Sequence, residues 1–417
     1  MRGNAIHRRT RGGPAGSRRI GRIRSVPYVL IFVALLIGDC KAGDAPLAEA
    51  VDPPQVFGDF IAALNASPVE ARAALIDSFL STASSRGFPC LEGTRVYFIY
   101  RGNASSRVSV PGDFNGWCTG CDFMTKVDGT DLHYLVRSFE PDARLDYKFL
   151  IDGAQWILDP LNPSTVTGGF GPNSEIAMPE YVRPEEIEFH SDIPHGTIES
   201  FDLHSAVLGD SRRVQVYLPP GYAVDQSRRY PSIYVNDGGE YLSLASMNNV
   251  LDYCIARKDI EGCIAIFADP VDRNSEYPMN PSYLKMIVTE LVPRIDGGFR
   301  TIDDPAKRGI MGASLGGLIS FYIAYARPDV FGLCAGQSSA FHVDSNRMID
   351  TISNGPGKDV VCYLDWGTYE TAIMHSNLGM LEVLNSKGYS TTSFEYHEGH
   401  SWGNWRAHTD DILKTFF

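Results

Sequence analysis

Gly312-Ala313-Ser314-Leu315-Gly316 sets a serine between two glycines. A serine hydroxyl attacks a carbonyl carbon only where a base removes its proton and donors receive the oxyanion. The neighbours of the pentapeptide therefore decide its meaning. The apolar run Gly309-Ile310-Met311 leads in, and the helical run Leu318 to Ala326 leads out. A serine on such a strand-to-helix turn exposes its Oγ, and the flanking glycines allow the close backbone approach the turn needs. Ser314 is the candidate nucleophile, at a helix N-terminus where the dipole favours negative charge.

A nucleophile of this kind is followed in the chain by an acid and then by a histidine. His400 sits in the Gly-containing loop Glu398-Gly399-His400-Ser401-Trp402, after the strand-like run Thr392 to Tyr396, and is the candidate base. His397 falls at the strand end and reads as structural, while His342, His375 and His408 occupy less suitable contexts. Asp365 and Glu370 both follow the run Val360 to Leu364, and the residues alone leave the choice of acid open. Oxyanion donors are expected from the N–H of Leu315 and from Gly238 or Gly239, in the loop after Ser232 to Val235. Losing one such donor costs roughly 2.7–4 kcal/mol of transition-state stabilisation. Arg273 and Glu276 read as a loop ion pair or as walls of an acyl pocket, and Trp402 as a substrate contact.

Cys118-Thr119-Gly120-Cys121 has the spacing of a metal or redox site, but no second cysteine pair or histidine pair accompanies it. A loop disulfide is the better reading, with Cys90 also a candidate participant. Cys334 and Cys362 lie in apolar runs and read as buried side chains. The expected chemistry needs neither a metal nor an organic cofactor.

These residues need elements to hold them. The 417-residue chain is 44% apolar and 21% charged, which excludes wholesale disorder and a coiled coil. Residues 1–42 carry a net +8 and the rest −21, so the body repels phosphate backbones and no nucleic-acid partner is expected. The run Val26 to Gly38 is thirteen residues, shorter than the ~20 of a membrane span. Residues 1–42 therefore read as an export leader. It is cleaved after Ala42, lipidated at Cys40, or kept as an anchor; Ser17-Arg18-Arg19 is a weak twin-arginine match. The product would be periplasmic, extracellular or lipid-anchored, with membrane contact only if the leader is lipidated or uncleaved.

Residues 43–88 read as a tether and helices, with Ser67-Pro68-Val69-Glu70 as a capping box. From Thr94 the apolar period falls to two, and short strands separated by Gly112-Asp113, Asp128-Gly129 and Asp152-Gly153 predict a β-sandwich over 89–182. Residues 160–182, rich in Pro, Gly, Asn and Thr, read as its exit linker. Over 183–417 short apolar strands alternate with helices, the pattern of an α/β domain.

Pro111-Gly112-Asp113-Phe114-Asn115-Gly116-Trp117, Tyr147-Lys148-Phe149, Asp152-Gly153 with Trp156, and Asp159-Pro160 resemble the glycogen-binding or isoamylase N-terminal type of sandwich. The resemblance implies sugar contacts at Trp117, Lys148, Trp156 and Asn173. The short linker instead favours a sandwich that packs beside the Ser314 pocket and shapes access to it. Residues 195–417 resemble the esterase family that holds enterochelin and feruloyl-type esterases. The resemblance rests on Asp237-Gly238-Gly239, Arg273 with Glu276-Tyr277, Glu290 to Pro293, Gly312 to Gly317, and Gly399-His400-Ser401-Trp402 with Trp405-Arg406. It implies an α/β-hydrolase fold, a Ser314–His400–Glu370 triad, and a small-molecule or carbohydrate-linked ester as substrate. Glu370 is preferred over Asp365 because that family carries its acid in a Gly-x-x-Asp/Glu segment. An acyltransferase of the same fold, or a carbohydrate-binding protein with an idle hydrolase domain, are the alternatives.

Overall fold

The computed structural model describes residues 56–85, 87–105 and 107–417, together with a two-residue strand at His7–Arg8. Apart from those two residues, the leader and the tether lie outside the described residues.

Eight strands carry the C-terminal half. They are β1 (Thr197–Ser205), β2 (Asp210–Leu218), β3 (Ser232–Asn236), β4 (Ile264–Ala268), β5 (Arg308–Ala313), β6 (Leu333–Gln337), β7 (Val361–Gly367) and β8 (Ser390–Tyr396). Their spatial order is β8-β7-β6-β5-β3-β4-β2-β1, and the His7–Arg8 strand pairs beside β8. From β4 through β8 every pairing is parallel, whereas β2 meets β1 and β4 antiparallel. Parallel strands need crossover helices, which cover both sheet faces and bury the strands completely. Hence β3 to β6 are buried at every residue. The strand alternation divides their side chains: Tyr234, Ile310 and Leu364 join one core with helices Leu315–Ala326 and Thr371–Ser386. Val235, Met311 and Tyr363 join a second core with helices Met247–Arg257 and Thr409–Phe416.

Helical spacing over Ser282 to Ile295 is realised with an interruption: a π-helical turn at Ile287–Leu291 separates Pro281–Met286 from Val292–Gly298. Pro293 has no N–H to return to the preceding turn, and a wider turn accommodates that gap.

The preceding region is β-rich. Cys90–Glu92, Arg95–Arg101, Leu132–Ser138 and Thr125–Lys126 form one sheet; Arg144–Tyr147, Gly171–Ala177 and Thr165–Gly168 a second; Val108–Ser109, Phe149–Ile151 and Gln155–Ile157 a third. Along Arg95–Arg101 the period of two buries Val96 and Phe98 in the inner core, and Tyr97 and Ile99 under helices Val56–Ala66 and Val69–Ser84.

Three local expectations differ from the structure. Residues 160–182 are not a linker, since Thr165–Gly168 and Gly171–Ala177 form a hairpin that pairs with Arg144–Tyr147. Ser67 forms no capping box: its hydroxyl donates back to Ala63 O at 2.8 Å, and Pro68 occupies the N-cap. The disulfide joins Cys118 to Cys121 and does not involve Cys90.

Candidate active site

Ser314 lies directly between β5 and helix Leu315–Ala326, as the helix N-cap, with φ 56° and ψ −118°. That backbone region is costly for a residue with a Cβ, and the packing around the turn holds it there. A Cβ on Gly312 would lie 2.5 Å from the Gly316 carbonyl carbon, and one on Gly316 would lie 2.9 Å from Asp237 Oδ2. Both glycines are therefore needed for the turn to close.

His400 Nε2 lies 3.0 Å from Ser314 Oγ, across 86 residues of chain. His400 Nδ1 lies 3.4 Å from Glu370 Oε1, whose side chain is fully buried. Glu370 follows β7 through the loop 368–370 and opens helix Thr371–Ser386. Asp365 stays inside β7, where its Oδ2 accepts from Gln337 Nε2 at 3.2 Å and Tyr363 OH at 3.1 Å. Burial holds the Asp365 carboxyl well above its usual range.

Two groups that the sequence reading did not single out for this role support the arrangement. Ser338, just past β6, donates to Glu370 Oε1 at 2.7 Å. Trp405 donates its indole N–H to Ser338 Oγ at 3.0 Å and sets its ring edge-on to His400, centroids 4.9 Å apart. Ser338 carries no local signal, because its function arises from the meeting of two strand ends. Trp405 lies five residues after His400, and helix Trp402–Ala407 turns it back toward the imidazole.

On the oxyanion side, Leu315 is the first residue of its helix, so its N–H has no intrahelical acceptor. Gly239 donates its N–H to Asp269 Oδ1 at 2.7 Å, which leaves Gly238 as the candidate second donor. Arg273 and Glu276 do not pair with each other. Arg273 grips Asp237 with two bonds of 2.9 Å and donates to Ala313 O at 3.2 Å. Glu276 instead takes Arg212 at 2.7 Å. Arg273 thereby ties the residue before Gly238 to the residue before Ser314. Trp402 is buried, packed edge-on between Tyr241 and Trp405 at 5.0 Å each, so it is a packing residue with little surface to offer a substrate.

The β-rich region reaches this site. A Cβ on Gly169, at the hairpin tip, would lie 3.4 Å from Glu240 Oε1 and 3.8 Å from Trp402 Nε1, and the adjoining Phe170 is fully exposed. Trp117 is half-buried and donates to Asp113 Oδ1 at 3.0 Å, and a Cβ on Gly399 would overlap that aspartate. Trp156 is exposed on Gln155–Ile157. His397 Nδ1 is 2.6 Å from Asp142 Oδ1 of the β-rich region.

A family model described as "Putative esterase" matches residues 205–416, about half of the chain. The chain belongs to this esterase family. The chain is 29% identical over 157 residues to an endo-1,4-beta-xylanase/feruloyl esterase of Xylanibacter ruminicola, covering 34% of this chain and 22% of that protein. It is 25% identical over 226 residues to an iron(III) enterobactin esterase of Dickeya dadantii, covering 49% of this chain and 52% of that protein. It thus spans less than two thirds of these relatives. Among solved structures it is similar to the enterobactin esterase of Shigella flexneri crystallised in the presence of enterobactin, with TM-score 0.67 and 21% identity over 77% of this chain and 92% of that one. At that identity the likeness concerns the fold: an α/β-hydrolase type with an N-terminal β-rich region. Among the described residues no helix is long and apolar enough to cross a membrane.

Proposed function

We propose that this chain is an exported serine carboxylic-ester hydrolase that works through an acyl-enzyme. The observation that carries the reading is the strained Ser314, with His400 Nε2 at 3.0 Å and Glu370 Oε1 3.4 Å behind the imidazole. Ser314 Oγ attacks the ester carbonyl carbon while its proton passes to His400 Nε2. Glu370, against Nδ1, holds the proton on that nitrogen before the attack and stabilises the imidazolium after it. The N–H groups of Leu315 and Gly238 receive the oxyanion, and Arg273 keeps the two donors' loops in register. His400 then protonates the departing alkoxide. Water, deprotonated by the same Nε2, attacks the acyl carbon and releases the carboxylic acid and Ser314.

The substrate class follows as a carboxylic ester reaching the site beside the β-rich region, where the hairpin tip with Phe170 borders Glu240 and Trp402. The relatives' enterobactin and feruloyl esters head the panel to be tested. Export is supported by the basic-then-apolar order of residues 1–42 and by the Cys118–Cys121 disulfide.

The test is turnover of a chromogenic short-chain ester with water as the sole acceptor. Wild-type protein is expected to show an acylation burst, and Ser314→Ala none, with an unchanged fold by circular dichroism. A folded Ser314→Ala protein with wild-type turnover would overturn the serine reading. Turnover that needs an added sugar or lipid alcohol would convert the hydrolase into an acyltransferase.

A further inference from the structure

One short turn of the β-rich region touches both loops that carry the candidate acid and base. Residues 139–144 connect strand Leu132–Ser138 to strand Arg144–Tyr147. On the acid side, Tyr369 directly precedes Glu370. Its hydroxyl donates to Glu140 Oε2 at 2.5 Å, and its ring meets Phe139 edge-on, centroids 6.1 Å apart. On the base side, Asp142 holds His397 Nδ1 at 2.6 Å, and Arg144 donates its backbone N–H to His397 O at 3.0 Å. The guanidinium of Arg144, wholly buried, donates to Ser401 Oγ at 3.2 Å and lies 3.9 Å from Glu398 Oε2. His400 is thus bracketed by residues held from the β-rich region on both sides. Within the hydrolase half the two loops are joined by Tyr369 N–H to Glu398 O at 3.2 Å and Thr368 N–H to Tyr396 O at 2.8 Å. There Ser338 also holds Glu370, and Asn404 Nδ2 donates to Gly399 O at 3.0 Å, so the 139–144 turn adds to these ties from outside that half.

We propose that the 139–144 turn is a clamp that sets the separation of Glu370 and His400, so that residues of the β-rich region act as positioning residues for the triad. This rests on the serine-hydrolase reading above. It gives the β-rich region a role distinct from lining the substrate entrance. Loops carry most of the positional freedom in an α/β enzyme, and an anchor on each side of the imidazole removes it. A misplacement of about 1 Å is enough to cost up to ~100-fold in rate. The anchors also have a direction: loss of the Glu140–Tyr369 bond frees the acid loop, whereas loss of the Arg144–Ser401 bond frees the base loop.

Arg144 is a poor test position, because its removal would strand Asp146, Glu175 and Glu398 in the interior. The variants are Tyr369→Phe, Ser401→Ala, their double, Glu140→Ala and Glu140→Gln, assayed as full-length protein on p-nitrophenyl acetate with thermal melting in parallel. The double variant is expected to lose on the order of 10-fold or more in kcat and in burst rate, with KM within about twofold. The pH midpoint of kcat/KM should fall, because a carboxylate held farther from the imidazole supports its protonated form less. Other charged or ionisable groups that face the base loop are Arg144 at Ser401, His397 with Asp142, Glu398 with His408, and Asp113 against Gly399, and none of them is altered in the double variant. Glu140→Gln keeps an acceptor for the Tyr369 hydroxyl and should retain most of the wild-type rate, which Glu140→Ala should not. An unchanged kcat and pH midpoint in a folded double variant would overturn the clamp, as would an effect confined to KM. If Ser314→Ala is inactive while these variants behave as wild type, the clamp alone fails. If Ser314→Ala is active, the serine reading fails first.

Discussion

Asp365 and Glu370 are two buried carboxyls, one inside β7 and one just past its end, and their surroundings give them different partners. Asp365 accepts two hydrogen bonds in an interior that pushes its carboxyl up, and Asp365→Asn keeps an oxygen to accept both bonds. Glu370 is bonded by Ser338 and faces His400. Glu370→Gln is therefore expected to slow turnover on the order of 10²–10⁴-fold, because an amide cannot stabilise the imidazolium. Asp365→Asn should change kcat by less than a few-fold, as steady-state assays of both variants would establish. The reverse ranking would move the acid to Asp365. The serine and the histidine were legible as residues because their local sequence is unusual: glycines around Ser314 and a glycine beside His400. Ser338 was not, since a serine after an apolar strand has no distinguishing neighbourhood.

At the scale of elements, the strand-to-helix turn at Ser314 and the loop after β3 must face each other, and Arg273 is the link between them. Its three hydrogen bonds span Asp237 and Ala313, and Asp237 is otherwise a buried carboxylate. Arg273→Ala should destabilise the fold by about 3 kcal/mol, at the low end of the range for breaking a buried pair because Arg273 is partly exposed. It should also lower kcat more than it raises KM, because the two oxyanion donors lose their common tie. Thermal melting and steady-state kinetics of Arg273→Ala and Arg273→Lys together check this, with Lys expected to recover only part of the loss. A variant with wild-type kcat would leave Arg273 a stabilising residue alone. The strands and helices around this link were readable from periodicity, since fully buried parallel strands are short apolar runs. Partners were not: Arg273 and Glu276 are three residues apart, yet each pairs with a residue from a distant segment.

Across the whole molecule, the β-rich region and the hydrolase half share a buried polar contact. Asp113, against Gly399 in the base loop, is pushed up to about 7, first by burial and then by the charge of Asp146. A carboxyl raised in the folded state binds its proton more tightly there than in the unfolded chain. Its contribution to stability is thus fully present below the usual carboxylate range, and is lost as pH rises from about 3.8 through about 7. Asp113→Asn removes that ionisation. The melting temperature of wild type is expected to fall relative to Asp113→Asn across that interval. A difference between the two that does not vary with pH would show that Asp113 ionises normally. The hairpin Thr165–Ala177 belongs to this scale too. Its Gly168-Gly169-Phe170-Gly171 tip and Pro172 read as linker, and its strand character comes from pairing with Arg144–Tyr147, which no local window contains.

By itself, the sequence determined what depends on neighbours a few residues away. The strand-to-helix turn at Ser314 needs glycines at Gly312 and Gly316, the strands need apolar runs, and the change from a period of two to strand–helix alternation divides the β-rich half from the α/β half. Tertiary structure alone decided what depends on meetings across the chain. Four residues separate Asp365 from Glu370, and only the bend after β7 sends one into the sheet interior and the other to His400. Gly239 and Gly238 are adjacent and alike in composition, and only Asp269, thirty residues on, engages one N–H and not the other. The physical reason is common to both cases: hydrogen bonds and charges act over a few ångströms of space, and the chain brings those ångströms together only when it folds.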